Sequence, residues 1–180
     1  METPIEKKST DPLNNEFYRI QIRKDRFKFS AAHMTIFPDG SKEFLHGHNY
    51  HLTLDVYLSE SKFESTVPFQ KFKDSLSSLS QKLDEKILVA KKNPLSEISV
   101  DDESVKLKVC GKFYVFPKEE VMLIDIDNIT VEALAYYANS ELQRSISADL
   151  ALEKKSPLLA LRTTVHESRG QGASFFSRFA

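Results

Sequence analysis

The chain contains one cysteine, Cys110, in 180 residues, so no intrachain disulfide can form and a reducing, cytoplasmic compartment is expected. It has no apolar run approaching the roughly 20 residues that cross a bilayer. Its opening, METPIEKKSTDPLNNE, is too polar for a signal peptide. Nor does it carry an excess of charge: 25 basic and 26 acidic side chains leave a formal net charge of -1. That balance gives no overall pull toward nucleic acid or an anionic membrane, and a local cluster such as IRKDRFK reads as a solvated strand face. Internal repeats and low-complexity blocks are absent as well. What is there, 41% apolar and 28% charged residues, is the composition of an ordinary globular protein. The organisation expected is one domain over 17–180, preceded by a fraying segment over 1–16.

Alternation at period two predicts a strand from Phe17 to His33, with Phe27, Phe29, Ala31 and His33 on one side. Pro38, Asp39 and Gly40 then supply a turn-rich loop. HGHNYHLTLDVYL predicts the second strand, pairing antiparallel with the first. His46, His48, Tyr50, Leu52, Leu54, Val56 and Leu58 share one face, and Asn49, His51, Thr53, Asp55 and Tyr57 the other. Pro68 marks the start of an amphipathic helix, whose Phe69, Phe72, Leu76, Leu79 and Leu83 recur at steps of three and four.

SVKLKVCGKFYVF reads as a hairpin turning at Cys110-Gly111. Thr130 is placed to N-cap a second helix with Val131, Leu134, Ala138 and Leu142 as its buried stripe. SPLLALRTTVHES alternates as a third strand, with Leu159, Leu161, Thr163, Val165 and Glu167 on one face, and SRGQGASFFSRFA adds a glycine turn and a last strand. This order predicts an α+β fold, an antiparallel sheet with two helices on one face. The sheet's other face and edges need cover, which formation of a homo-oligomer supplies.

Three of the five histidines fall within KEFLHGHNYH. Residues two apart on a strand point the same way, roughly 6.5–7 Å apart. His46 and His48 can therefore tilt toward one ion, and Gly47 between them leaves room. His33 ends the facing strand on the same side and can supply a third nitrogen. Three neutral imidazoles with an open fourth position suit a catalytic zinc better than a structural one, which is closed by a further ligand, often cysteine. An H-x-H pair is also a common polar feature at the mouth of a strand, and the spacing alone admits both readings. His51 points to the opposite face, and His166 alternates away from Glu167 and reads as structural.

FSAAH, then HGHNYHLTLDVYL, a helix ending LDEK, ITVEALA and VHES resemble, in order and separation, the 6-pyruvoyl-tetrahydropterin synthase / 6-carboxytetrahydropterin synthase family. The resemblance covers nearly the whole chain from about Phe17. It implies the tunnelling fold, in which sheets of several subunits close into a barrel, commonly as a dimer of trimers. It implies zinc held by His33, His46 and His48, and a small-molecule pterin substrate. It also implies that Glu167 anchors the pterin and that Thr130 and Glu132 contact the ring. An aminopyrimidine presents adjacent N–H donors, which a carboxylate accepts in paired fashion. Thr130 and Glu132 also have structural explanations, as an N-cap and a first-turn acid. Glu167 interrupts an otherwise apolar stripe.

Two motifs depart from the family pattern. The usual cysteine before H-G-H is absent from PDGSKEFLHGH, where the matching positions hold Lys42 or Gly40. Glu43 instead gives E-x-x-H-G-H, which resembles a branch with glutamate in place of cysteine. That branch cleaves the side chain of 7,8-dihydroneopterin triphosphate to 6-hydroxymethyl-7,8-dihydropterin for folate synthesis. A carboxylate beside a metal can serve as base and then as acid in such a retro-aldol step. Without the resemblance, Glu43 reads as a solvated loop residue.

At the end of the first helix the family carries an Asp-His proton relay. Here Asp84 matches the aspartate and Glu85 replaces the histidine, and a carboxylate relays protons only if its pKa rises toward neutrality. The resemblance therefore implies a zinc-dependent lyase with Glu43, Asp84 and Glu85 as catalytic groups. The alternatives are a 6-pyruvoyl- or 6-carboxytetrahydropterin synthase-like enzyme, the latter of the queuosine route, and a non-catalytic pterin- or zinc-binding homologue.

Overall fold

Alternation from His46 to Leu58 produces the longest strand, and the main sheet is assembled around it. The computed structural model describes residues 16–150, 156–168 and 170–179. The expected fraying segment lies outside these, apart from Glu16. The elements are β1 (Tyr18–Ile22), β2 (Lys28–His33), β3 (His46–Leu58), α1 (Phe69–Leu83), β4 (Lys86–Ala90), β5 (Ser96–Val100), β6 (Ser104–Val109), β7 (Lys112–Pro117), β8 (Val121–Ile124), α2 (Val131–Leu150), β9 (Leu158–Ser168) and β10 (Gln171–Arg178). The main sheet runs β10-β9-β3-β2-β4-β8, with β1 also on β3, and β5-β6-β7 form a second sheet.

The strand expected from Phe17 to His33 is two strands along one edge of β3. Ile22 faces Leu54 and Lys28 faces His51, so residues 23–27 oppose only 52 and 53. Such an excess is absorbed as a bulged turn. Phe27 N–H donates to the Lys24 carbonyl (3.0 Å), and the Phe27 carbonyl takes Leu52 N–H (2.8 Å). The expected wholly antiparallel sheet is mixed. β4 runs parallel to β2 at Ala31↔Lys86 and Ala32↔Ile87, and parallel to β8 from Ile87↔Val121 to Ala90↔Ile124.

Both helices lie against one face of the main sheet. Phe72, Leu76, Leu79 and Leu83 of α1 join Leu134, Ala138, Leu142 and Ile146 of α2, packing on Phe29, Tyr50, Leu52, Leu54, Val56, Leu161 and Val165. Phe69, expected in the α1 stripe, is 45% exposed, because the buried stripe begins one turn further in. β4 and β8 are covered on both sides. Leu88, Ala90, Met122 and Ile124 face the helices, while Ile87, Val89, Val121 and Leu123 pack toward the second sheet with Met34, Ile36, Leu107 and Val109. Two-sided burial is why KILVA and VMLI are plain apolar runs without alternation. The β6–β7 turn is as expected: Cys110 and Gly111 both hold positive φ (47° and 69°), as a two-residue type I′ hairpin requires. No helix among the described residues is long and apolar enough to cross a membrane.

Candidate active site

Antiparallel pairing of β2 with β3 places His33 directly opposite His46, with His48 two residues further on the same face. One ring nitrogen from each of the three lies within 4.8 Å of the others. His33 and His46 are oriented through Nδ1, which hydrogen-bonds to the Ile129 carbonyl (3.1 Å) in one and to the Phe44 carbonyl (2.8 Å) in the other. With the proton on Nδ1, each ring turns a lone pair on Nε2 toward the cluster. Nε2 of His33 is buried and makes no hydrogen bond. Burial first, then the neighbouring His46 and His48, hold His33 below its ordinary pKa and keep it neutral. An orphaned buried acceptor, converging neutral imidazoles and carbonyl-fixed tautomers suit a divalent cation that accepts nitrogen, zinc above all.

Glu43 is brought to this cluster by the loop joining β2 to β3. Its N–H donates to the Thr35 carbonyl (2.9 Å), and its Oε2 accepts Thr35 N–H (3.2 Å). Hydrogen bonds from Thr35, the side chain first, and the nearby His46 and His33 hold its carboxyl below the usual range despite opposing desolvation. Glu43 is thus a half-exposed carboxylate, held ionised at Thr35 within electrostatic reach of His46 and His33. The single Thr35 hydroxyl proton serves either the Glu43 carboxylate or the Ile129 carbonyl that orients His33 (3.4 Å).

Glu167 enters from β9 on the same face. Its Oε1 lies 3.1 Å from His48 Nε2 and 3.7 Å from His33 Nε2. Tyr50, buried and stacked on Phe29 (4.9 Å, 20°), is held above the ordinary phenol pKa by burial, then by the charge and hydrogen bond of Glu167. Tyr50 therefore stays a protonated donor to that carboxylate. Sequence reasoning placed Tyr50 on this face without a role; the signal was its place in the His46, His48, Tyr50 alternation. Thr130 caps α2, its Oγ1 accepting Ala133 N–H (3.3 Å), directly after the Ile129 carbonyl that holds His33. Glu132, in the first turn of α2, is exposed.

Asp84 and Glu85 stand apart from this cluster. Asp84 Oδ1 accepts Ser30 N–H (2.7 Å), and Glu85 N–H donates to the Ser30 carbonyl (2.7 Å). Both line a cavity of about 650 Å³ with Arg26, Lys28, Asn49 and His51. Ser30, Asn49 and His51 alternate to the face opposite the three metal-type histidines. Glu85 holds a positive φ of 56°, a conformation that costs a non-glycine residue about 1–2 kcal/mol.

The family profile described as 6-pyruvoyl tetrahydropterin synthase matches residues 21–177. A Methanocaldococcus jannaschii protein called putative 6-carboxy-5,6,7,8-tetrahydropterin synthase is 26% identical over 149 residues, spanning 82% of this chain and 88% of that one. The crystal structure of 6-pyruvoyl tetrahydropterin synthase from Plasmodium vivax superposes with a TM-score of 0.82 at 23% identity, covering 92% of this chain and all (100%) of that one. Two further structures of the P. vivax protein, with the same TM-score of 0.82, carry alanine or cysteine in place of a glutamate called its catalytic residue. With a matching profile along most of its length, the fold of the solved synthases and the three histidines gathered at one end of its sheet, the chain belongs to the 6-pyruvoyl tetrahydropterin synthase family.

Proposed function

We propose that the protein is a zinc-dependent lyase that converts 7,8-dihydroneopterin triphosphate to 6-hydroxymethyl-7,8-dihydropterin, the pterin of folate synthesis. The observation that carries this reading is Glu43, an ionised carboxylate pinned to Thr35 within electrostatic reach of His46 and His33, in the loop that lacks the family's usual cysteine. The glutamate called catalytic in the P. vivax protein supports it. Zinc, when bound by His33, His46 and His48, supplies a Lewis acid that polarises the side-chain hydroxyl oxygens.

Glu43 takes the proton from the hydroxyl on the second side-chain carbon. The bond to the first carbon breaks as the second carbon becomes an aldehyde. The electron pair passes to the first carbon, in conjugation with the ring imine, and the proton held by Glu43 is delivered there. The products are 6-hydroxymethyl-7,8-dihydropterin and a two-carbon aldehyde carrying the triphosphate. Glu167, backed by the Tyr50 hydroxyl, accepts the ring's paired N–H donors, and Thr130 and Glu132 complete the ring contacts.

The reading extends to assembly. Asp84 and Glu85 open on the sheet face away from the histidines, so a relay through them is built from a neighbouring copy of the chain. A homo-oligomer, a dimer of trimers acting in the cytoplasm, provides that arrangement.

Incubating the purified protein with 7,8-dihydroneopterin triphosphate and identifying the product tests the reading. Glu43→Gln should retain metal and bind pterin yet lose about 10²–10⁴ in rate, the usual cost of removing a general acid/base. Turnover of that variant at the parent rate would make Glu43 a bystander. The name of the M. jannaschii relative favours a second reading, in which the product from the same substrate is 6-carboxytetrahydropterin. No turnover by the parent protein would leave a pterin- or zinc-binding homologue without catalysis.

A further inference from the structure

The loop that carries Glu43 is held from outside as well as inside. Its outer support is the second sheet, which stands apart from the pterin site. At the β6–β7 turn the Cys110 thiol contacts the Ser41 carbonyl (3.8 Å). On β7, Tyr114 is stacked on Phe116 with centroids 5.8 Å apart and planes at 15°. Lys42 extends over the Tyr114 ring, Nζ lying 5.3 Å from its centroid, and the same ammonium donates to the Glu43 carbonyl (2.9 Å).

These contacts divide the restraint on Glu43. The peptide on its N-terminal side is fixed by Thr35, and so is Oε2. The peptide on its C-terminal side is fixed by Lys42. One residue on, the Phe44 carbonyl hydrogen-bonds Nδ1 of His46. An ammonium held over an aromatic face is a directional attachment, because the ring's quadrupole and the hydrogen bond must be satisfied from one position. Phe44 itself is 91% exposed and supplies no packing to the loop.

We infer that Lys42 and Tyr114 are positioning residues, which fix the backbone of Glu43 through the second sheet and so set where its carboxylate meets the substrate. This rests on the reading of Glu43 as the acid/base group. A misplacement of about 1 Å at a reacting group can cost on the order of a hundredfold in rate.

Steady-state kinetics of variants, with metal content and pterin affinity measured alongside, test the inference. Lys42→Met keeps the stem and removes the ammonium. It should lower kcat about ten- to a hundredfold, with KM, zinc content and pterin affinity close to those of the parent. Tyr114→Leu should lower kcat in the same way, and Tyr114→Phe, which keeps the ring face, should recover most of that loss. In a Glu43→Gln background Lys42→Met should add little, because the group it positions is already gone. If Glu43→Gln is impaired but Lys42→Met turns over at the parent rate, the inference falls while Glu43 keeps its role. Equal losses in Tyr114→Phe and Tyr114→Leu would also overturn it, as would loss of metal from Lys42→Met. If Glu43→Gln itself retains parent turnover, the acid/base reading falls and takes the inference with it.

Discussion

Glu167 faces groups with opposite demands. Its carboxylate lies 3.1 Å from His48 Nε2, and its charge, after burial, keeps the neighbouring Tyr50 hydroxyl protonated. A pterin anchor must leave its oxygens to the ring, whereas a fourth metal ligand gives them to the ion. Replacing Glu167 by Gln turns one acceptor into a donor facing a donor, a mispairing worth about 1–3 kcal/mol. Calorimetry should show pterin affinity reduced by about tenfold or more, while metal analysis shows zinc retained by the three imidazoles. His33→Ala and His46→Ala should lose the metal instead. Zinc loss from Glu167→Gln would identify a ligand and end the anchor assignment. At this scale alternation made the shared face of the histidines and of Glu167 legible, while the roles assigned to them came from the resemblance. The Ile129 carbonyl was not legible. It reaches His33 across 96 residues, and a backbone group carries no side-chain signature.

The elements that alternate cleanly, β3, β9 and the two helices, were legible because each buries one face. β4 and β8 were not, because two-sided burial removes the alternation that marks a strand. The second sheet was seen only as its hairpin, announced by the turn at Cys110-Gly111. A third feature escaped notice because it is polar in a buried stripe. Asn139 of α2 is fully enclosed (0% exposed), donating to Leu161 O (3.4 Å), Thr163 Oγ1 (3.2 Å) and Phe175 O (3.2 Å), and accepting from Ser177 Oγ (2.6 Å). It fastens α2 to the β9–β10 hairpin that presents Glu167. Asn139→Ala removes these hydrogen bonds from a buried site and should destabilise the fold by about 1–3 kcal/mol. Denaturant unfolding should show a lower midpoint at an unchanged slope. An unchanged midpoint would show that the amide contributes nothing to holding the helix.

For the molecule as a whole, one chain presents the histidines on one face of its sheet and the Asp84-Glu85 pair on the other. If a relay joins them, it joins different copies. Sedimentation velocity should return an assembly of six chains, and a monomer would sink the shared site. Mixed assemblies offer a sharper check. Glu43→Gln chains co-assembled with Asp84→Asn chains should regain part of the activity each lacks, since some interfaces then carry both intact groups. Recovery no greater than the sum of the separate preparations would place each complete set of groups within one chain. The folding of each chain also has an order in time. His33 and His46 are register partners closed by the loop 34–45, while Thr130 and Glu167 arrive from far later in the chain. A loop of that size closes within about 10–100 ns, whereas distant strand pairing waits on the larger search. His33 and His46 therefore come together as one of the chain's early local contacts, before the strand that carries Glu167 has docked. If the three histidines hold zinc, a folding chain can capture its ion first and complete the rest of the site around it.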